Sequence, residues 1–263
     1  MQLMFGIKLE TESRSHIKEI FVMARKRLCI IGFGRMGKQA VNAFADQFQI
    51  EVISSRDISS ELIDVGARQS SNNTESLSAA DVIFLAIPVW ALRKWVPKIN
   101  EHAKSDCVVI DCCTARLAAD RELSTLNRER FGLSHLGPGN IPLFGKADPE
   151  ISACLKRMGC KLIPRTAEDE DRRTGPGMAH FIGLALELYL PEDEREKLPS
   201  GAGRFLLQLI EHLNTNSPST YRETQLLNPF MADARKKVIK ALVQFDEALN
   251  RGEFNFQAYP RDK

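Results

Sequence analysis

Apolar residues fall along the chain in two different rhythms. Unbroken apolar runs at 28–31, 82–87 and 107–110 have no position left for solvent, as expected of strands buried on both faces of a parallel sheet. Ile50, Val52 and Ile53 mark another strand, and 67–70, 131–135 and 160–164 shorter ones. Between them the spacing becomes helical. Ala40, Val41, Phe44 and Ala45 share a face, 58–65 and 149–158 follow the same period, and 90–99 form a helix bent or broken at Pro97. A further helix opens after Thr114, which is placed to cap it. Trp90 and Trp95 are expected to pack against the sheet. The order β-α-β-α-β-β-α-β-α predicts an α/β fold, a doubly wound sheet over residues 27–165.

Beyond 165 the strand rhythm stops, and residues 166–263 read as an all-helical C-terminal domain. Helices are predicted at 179–190, 204–213 and 218–250, the last bent at Asn228-Pro229. Gly175-Pro176-Gly177 is expected to break or kink what precedes it, and 191–199 to form a charged loop. Phe230, Val238, Ala241, Leu242, Phe245 and Leu249 line one stripe, expected to join a homodimer; an intramolecular core is the alternative. Residues 1–26 form an extension in which Ile17, Ile20, Phe21 and Ala24 share a helical face, a short docking helix or a flexible arm.

The first strand runs directly into Gly32-x-Gly34-x-x-Gly37 and then into a helix. Strand, glycine turn and helix in this order form the dinucleotide-binding fingerprint of a Rossmann-type fold. Gly32 allows the tight turn, Gly34 lets backbone approach a pyrophosphate, and Gly37 permits close packing. With Phe33, Arg35 and Met36 they form the expected phosphate-binding turn, where free N–H groups and the helix dipole meet the anion. Ala86, Ile87 and Pro88 end the fourth strand on the same edge and are expected to line the cofactor. NAD-binding folds place a carboxylate at the end of the second strand for the ribose hydroxyls. Here that position reads Ser54-Ser55-Arg56, which suits a 2′-phosphate. NADP is therefore the expected cofactor. NAD is the alternative, because Asp57 is one residue further on.

Composition narrows the partners. A net charge of +2 over 263 residues, with no long block of like charge, gives no footprint for nucleic acid. No apolar stretch suits a membrane span or the core of a signal peptide, so a cytoplasmic protein with a small-molecule substrate is expected. The six cysteines, at 29, 107, 112, 113, 154 and 160, match no zinc spacing. They read as buried reduced thiols, with redox chemistry at Cys112-Cys113 as the lesser alternative.

Ser134-His135-Leu-Gly-Pro-Gly139 resembles the histidine loop of the prephenate/arogenate dehydrogenases. Asp111-Cys-Cys-Thr-Ala-Arg116 looks like that family's Asp-x-x-Ser-x-Lys, Ala167-Glu-Asp-Glu-Asp-Arg172 like its Pro-Glu-x-His-Asp-Arg, and Met178-Ala-His-Phe181 like its Leu-Pro/Thr-His-Phe. Pro218-Ser-Thr-Tyr221 and Asn228-Pro229 resemble its closing stretch, so the similarity spans about 27–250. The chain departs from the family in four places. The loop after His135 is shorter, Glu170 replaces a histidine, His212 stands where an arginine commonly anchors substrate carboxylate, and Gly175-Pro176-Gly177 interrupts a helix.

The resemblance implies an NADP-linked oxidation of a cyclohexadienol, with loss of carbon dioxide, in tyrosine biosynthesis. It assigns His135 as the base, a role that suits a side chain titrating near neutrality. Thr114 would bond the same hydroxyl or orient His135, and His180 would join the site. Arg172, Arg204 and His212 are the candidates for substrate carboxylates. Two alternatives stay open: a reductase or dehydrogenase of another small carbonyl, imine or hydroxy acid, and a catalytically diverged nucleotide-binding protein. Lys146 and Lys156 fall in no recognisable catalytic-lysine motif.

Overall fold

A computed structural model describes residues 25–190, 192–195, 201–214 and 218–253. The helical face at Ile17, Ile20, Phe21 and Ala24 lies outside the described residues. Contacts divide the chain between Glu170 and Asp171.

The first unit is built on eight strands: β1 (Arg27–Ile31), β2 (Gln49–Ile53), β3 (Arg68–Gln69), β4 (Val82–Leu85), β5 (Val108–Asp111), β6 (Glu129–Leu133), β7 (Gly139–Gly145) and β8 (Cys160–Pro164). Their order is β3-β2-β1-β4-β5-β6-β7-β8, and every pairing is parallel except β6 with β7. The strand order reverses between β1 and β4, the switch point at which open α/β sheets bind ligands. Successive residues of β1 enter opposite cores. Leu28 and Ile30 meet α1 (Arg35–Phe44) through Ala40, Val41 and Phe44. Cys29 and Ile31 join the core under α4 (Val89–His102) with Val89, Leu92, Val96 and Ile99. Burial on both faces is why these strands read as unbroken apolar runs.

The remaining helices of this unit are α2 (Ser59–Leu62), continued as a 3-10 turn over Ile63–Val65, α3 (Asn73–Ala79), α5 (Arg116–Glu122), α6 (Pro149–Arg157) and the first residues of α7 (Ala167–Arg172). The bend expected at Pro97 does not end α4, which runs on to His102. Trp95 packs on the core, whereas Trp90 is 54% exposed, so it is not the packing residue the pattern predicts.

Helix α3 and strand β7 have no counterpart in the sequence-based reading. Helix α3 carries little apolar surface; Asn72 starts it by accepting from the N–H groups of Thr74 and Glu75. Strand β7 contains the buried Pro142. Its pairing with β6 begins at Leu133↔Leu143, one residue further along, so the ladder loses little by the missing N–H. The Pro142 carbonyl still accepts from Ser134 N–H at 3.3 Å.

The second unit is helical: α8 (Gly175–Tyr189), α9 (Glu192–Arg195), α10 (Ala202–Asn214), α11 (Pro218–Leu227) and α12 (Met231–Asn250). Helix α9 occupies part of the predicted loop, and Arg195 ties it back to the carbonyls of Glu187 and Leu190. Gly175-Pro176-Gly177 does end what lies upstream, but it also forms the first turn of α8, where proline loses no intrahelical bond. Helix α8 is the one the others pack on. A Cβ at Gly177 would stand 2.7 Å from Met231 Sδ, and one at Gly183 would stand 2.5 Å from Leu213 Cδ1. On α12, Leu242, Phe245 and Leu249 are exposed, so that stripe is not an internal core. No helix among the described residues is long and apolar enough to cross a membrane.

Candidate cofactor and active site

One row of paired residues crosses five strands of the sheet: Ile53, Ile31, Leu85, Asp111 and Gly132. Just beyond this row, at the carboxyl edge, the chain continues into Ser54, Gly32, Ala86, Cys112 and the segment leading to His135. At about 4.8 Å per strand the row extends roughly 19 Å. The glycine turn sits one strand in from the end that carries Ser54-Ser55-Arg56, and Thr114 and His135 lie toward the other end.

The turn itself is built by close approach. Gly32 has φ +98°, and its N–H bonds the Ile53 carbonyl at 2.9 Å. A Cβ there would lie 2.4 Å from the Ala86 carbonyl oxygen and 3.0 Å from Ile87. A Cβ at Gly37 would lie 2.1 Å from the Gly32 carbonyl oxygen. Gly34 differs, since nothing lies within 4 Å of the position its Cβ would take. The open side of the turn is therefore at Gly34, at the start of α1, whose first turn has no acidic residue and no side-chain cap. Arg35 is exposed, with Phe33 and Met36 partly buried beside it. This opening fits an anionic group held by backbone N–H donors. Ala86, Ile87 and Pro88 are half-buried, and Pro88 precedes the first turn of α4.

At the β2 end, Ser54 Oγ accepts from Arg56 N–H at 3.2 Å. Asp57, the alternative ribose ligand, accepts from Ser59 N–H at 3.0 Å and so braces the start of α2. Gln69 of β3 clamps the same loop, accepting from Ile58 N–H at 2.8 Å and donating to the Arg56 carbonyl at 2.9 Å. Ser55 and Arg56 remain exposed. Arg56 Nη1 and Lys38 Nζ each stand 2.6 Å from a different oxygen of Glu61. Both cations lie over the Phe33 ring, at 5.9 and 5.4 Å from its centroid. Lys38, Glu61 and Gln69 carry no motif that would have singled them out.

The β5 end is held by a buried ion pair. Arg116 is fully buried and Asp111 nearly so. Arg116 Nη1 bonds Asp111 Oδ1 and also the Cys113 carbonyl at 3.2 Å, and Nη2 lies 3.3 Å from Asp111 Oδ2. Asp111 Oδ1 also accepts from Cys113 N–H at 3.2 Å. The guanidinium stacks 4.2 Å from the Phe144 ring and lies against Gly132, where a Cβ would meet Nη2 at 2.2 Å. These bonds pin residues 112–115. They correct the capping assignment of Thr114: the cap position of α5 is Ala115, no side chain caps it, and Thr114 is exposed. Cys112 and Cys113 are not disulfide-linked, and burial pushes the Cys112 thiol well above its ordinary range. All six cysteines are free, and the Cys107 thiol is pushed up to about 12, chiefly by burial.

His135 follows β6 directly. Its Nδ1 is 2.8 Å from Ser134 Oγ. A donated Nδ1–H leaves Nε2 as the bare, proton-accepting nitrogen. Partial burial pushes this histidine below its ordinary pKa, nearby Glu170 opposes that shift, and Arg35 adds to it. Arg165 Nε stands 3.7 Å from Glu170 Oε2. In the second unit, His180 packs edge-on against Tyr221, ring centroids 4.8 Å apart, and the Tyr221 hydroxyl bonds the Leu213 carbonyl. Arg172 lies over the Phe230 ring at 4.4 Å. Arg204 and His212 are exposed on α10. A cavity of about 470 Å³ opens at the opposite edge of the sheet, lined by Arg27, Phe48, Glu51 and Arg68, away from this constellation.

The profile of the family described as NADP oxidoreductase, coenzyme F420-dependent, matches residues 27–115. A protein of Methanocaldococcus jannaschii described as a probable arogenate/prephenate dehydrogenase is 20% identical over 213 residues, 70% of this chain and 47% of that protein. The chain thus matches about half the length of that relative. Prephenate dehydrogenase from Aquifex aeolicus, solved with hydroxyphenyl propionate and NAD+, superposes with a TM-score of 0.70 at 16% identity, covering 87% of this chain and 92% of that one. The protein has the prephenate dehydrogenase fold. More distantly, an imine reductase variant from Myxococcus stipitatus, solved with NAD+, reaches a TM-score of 0.51 at 13% identity over 72% of this chain and 73% of that one. In the prephenate dehydrogenase fold the doubly wound sheet and the helical C-terminal region described above both find their counterparts, as the fold-class expectation requires.

Proposed function

We propose that the protein is an NADP-linked dehydrogenase that oxidises a cyclohexadienol of the prephenate or arogenate kind. The observation that carries this is the row along the carboxyl edge, which puts a dinucleotide turn on the same edge as, and three strands away from, a histidine with one ring nitrogen bonded to Ser134. The open position at Gly34 fits a pyrophosphate, and Ser54, Ser55 and Arg56 fit a 2′-phosphate. A bound nicotinamide supplies the hydride acceptor.

The chain's own residues do the rest. His135 Nε2 takes the proton of the substrate hydroxyl as the carbinol carbon becomes a carbonyl. Decarboxylation then returns an electron pair through the ring to that oxygen, and His135 gives the proton back to form the phenol. The lowered pKa of His135 keeps it neutral, and so competent as a base, at physiological pH. Thr114, exposed on a pinned loop of the same edge, hydrogen-bonds the reacting hydroxyl. Arg172, Arg204 and His212 are the second unit's candidates for binding substrate, and His180 its candidate catalytic side chain.

The test is formation of reduced NADP on adding prephenate or arogenate to the purified protein. Turnover with one of them, lowered about 10²-fold or more by His135→Asn, supports the assignment. Absence of turnover with both, or a variant as fast as the parent, refutes it. The imine-reductase similarity in fold motivates a second reading, reduction of a small imine or carbonyl. Oxidation of reduced NADP by a panel of such compounds, with none by the cyclohexadienols, would favour it.

A further inference from the structure

The Ser54-Ser55-Arg56 loop does not present its guanidinium alone. Glu61, on α2, uses one carboxylate oxygen for Arg56 and the other for Lys38, both at 2.6 Å. The two cations lie over one ring, Phe33, which belongs to the glycine turn. Four residues from two stretches of chain, 33–38 and 56–61, thus converge where β1 and β2 end. Gln69 and Asp57 hold the loop from below, so the cluster does not depend on Glu61 for its backbone.

We propose that Glu61 is a cofactor-selectivity residue, an internal counter-ion that competes with the 2′-phosphate of NADP for Arg56 and Lys38. The inference rests on the cofactor assignment made above. Exposed ion pairs add little to folding, so the effect of Glu61 falls on what binds beside it. Lys38 and Arg56 hold its carboxyl below the usual carboxylate range, so it is ionised wherever the protein would work. With Glu61 present the cluster of two cations and one carboxylate carries +1, and without it +2. A 2′-phosphate, close to a dianion, must either displace the carboxylate from both cations or bind against its charge. NAD, with hydroxyls at that position, meets neither penalty. Glu61 therefore narrows a preference that Arg56 and Lys38 would otherwise make steep.

Dissociation constants for NADP and NAD, measured by calorimetry at one fixed ionic strength for the parent, Glu61→Gln and Arg56→Gln, decide the matter. Glu61→Gln should tighten NADP about three- to tenfold, the scale for removing one screened charge beside a dianion, and leave NAD within about twofold. Arg56→Gln should weaken NADP selectively. The proposal is overturned if Glu61→Gln leaves the NADP:NAD ratio unchanged, lowers it, or shifts both cofactors alike, or if neither protein binds NADP. A parent that prefers NAD but gains NADP affinity in Glu61→Gln would refute the NADP assignment while upholding the role of Glu61.

Discussion

Replacing Arg116 with methionine tests how the β5 loop is held. The substitution keeps much of the side chain's apolar volume beside Phe144 but removes the guanidinium from a carboxylate that is 1% exposed. Asp111 then keeps the bond from the Cys113 N–H and loses those from Arg116 Nη1 and Nη2. Breaking a buried pair by removing one partner costs about 3–5 kcal/mol, because the other charge stays buried. For a domain of this size each kcal/mol lowers Tm by roughly 2–4 °C, so the expected fall is roughly 6–20 °C. Thermal melting followed by circular dichroism reads it directly. Asp111→Asn combined with Arg116→Met removes both charges, and the double variant should recover part of the loss. A single variant melting within about 2 °C of the parent, or a double variant no more stable than Arg116→Met, would show that the pair does not hold the loop.

Two further outcomes follow from geometry already described. Gly34→Ala should leave the melting temperature nearly unchanged and weaken NADP binding by an order of magnitude or more, because open space surrounds the added methyl until a pyrophosphate arrives; Gly37→Ala, aimed at a backbone oxygen 2.1 Å away, should instead destabilise the fold. Calorimetry beside melting curves separates the two, and equal effects on stability would count against the assigned roles. His135 should titrate below 6.5 in the free protein, followed by NMR of its ring proton; Glu170→Gln should lower the value further and Arg35→Gln raise it. With the neutral ring as base, as proposed above, the acid limb of kcat/KM should lie below 6.5 as well. A midpoint above 6.5, or shifts of the opposite sign, would contradict the charges placed around the ring.

The strands at the centre of the sheet were legible because their neighbours cover both faces and leave only apolar positions. The glycine turn was legible because backbone proximity at Gly32 and Gly37 excludes any side chain. Strand β7 was not, since Pro142 and the flanking glycines at 139 and 145 carry the marks of a turn. Only the ladder's end at Leu133 makes that proline tolerable. Helix α3 escaped because it buries little beyond Ser76 and Leu77 and has no stripe to detect. In the site, His135 and Arg56 were visible from local motifs. The partners that tune them were not: Lys38 and Glu61 are 23 residues apart, and their meeting depends on how α1 and α2 leave the sheet. The capping role of Thr114 was misassigned for a related reason, since a buried Asp111–Arg116 pair, rather than the nearest hydroxyl, shapes the start of α5.

The reversal of direction between β6 and β7 makes the end of the row that carries His135 separable from the rest. The segment carrying His135 is a hairpin connection, closed on itself by Leu133↔Leu143 and the Ser134–Pro142 bond, and no strand of the dinucleotide half has to move when it changes. Doubling such a loop adds only about 0.6 kcal/mol of closure entropy. Insertions between His135 and Leu136, where this loop is two residues shorter than the prephenate/arogenate dehydrogenase pattern it resembles, can therefore reshape what reaches the histidine while the glycine turn and the Arg56 cluster stay as they are. On the assignments proposed above, substrate range and cofactor choice are separately engineerable in this architecture.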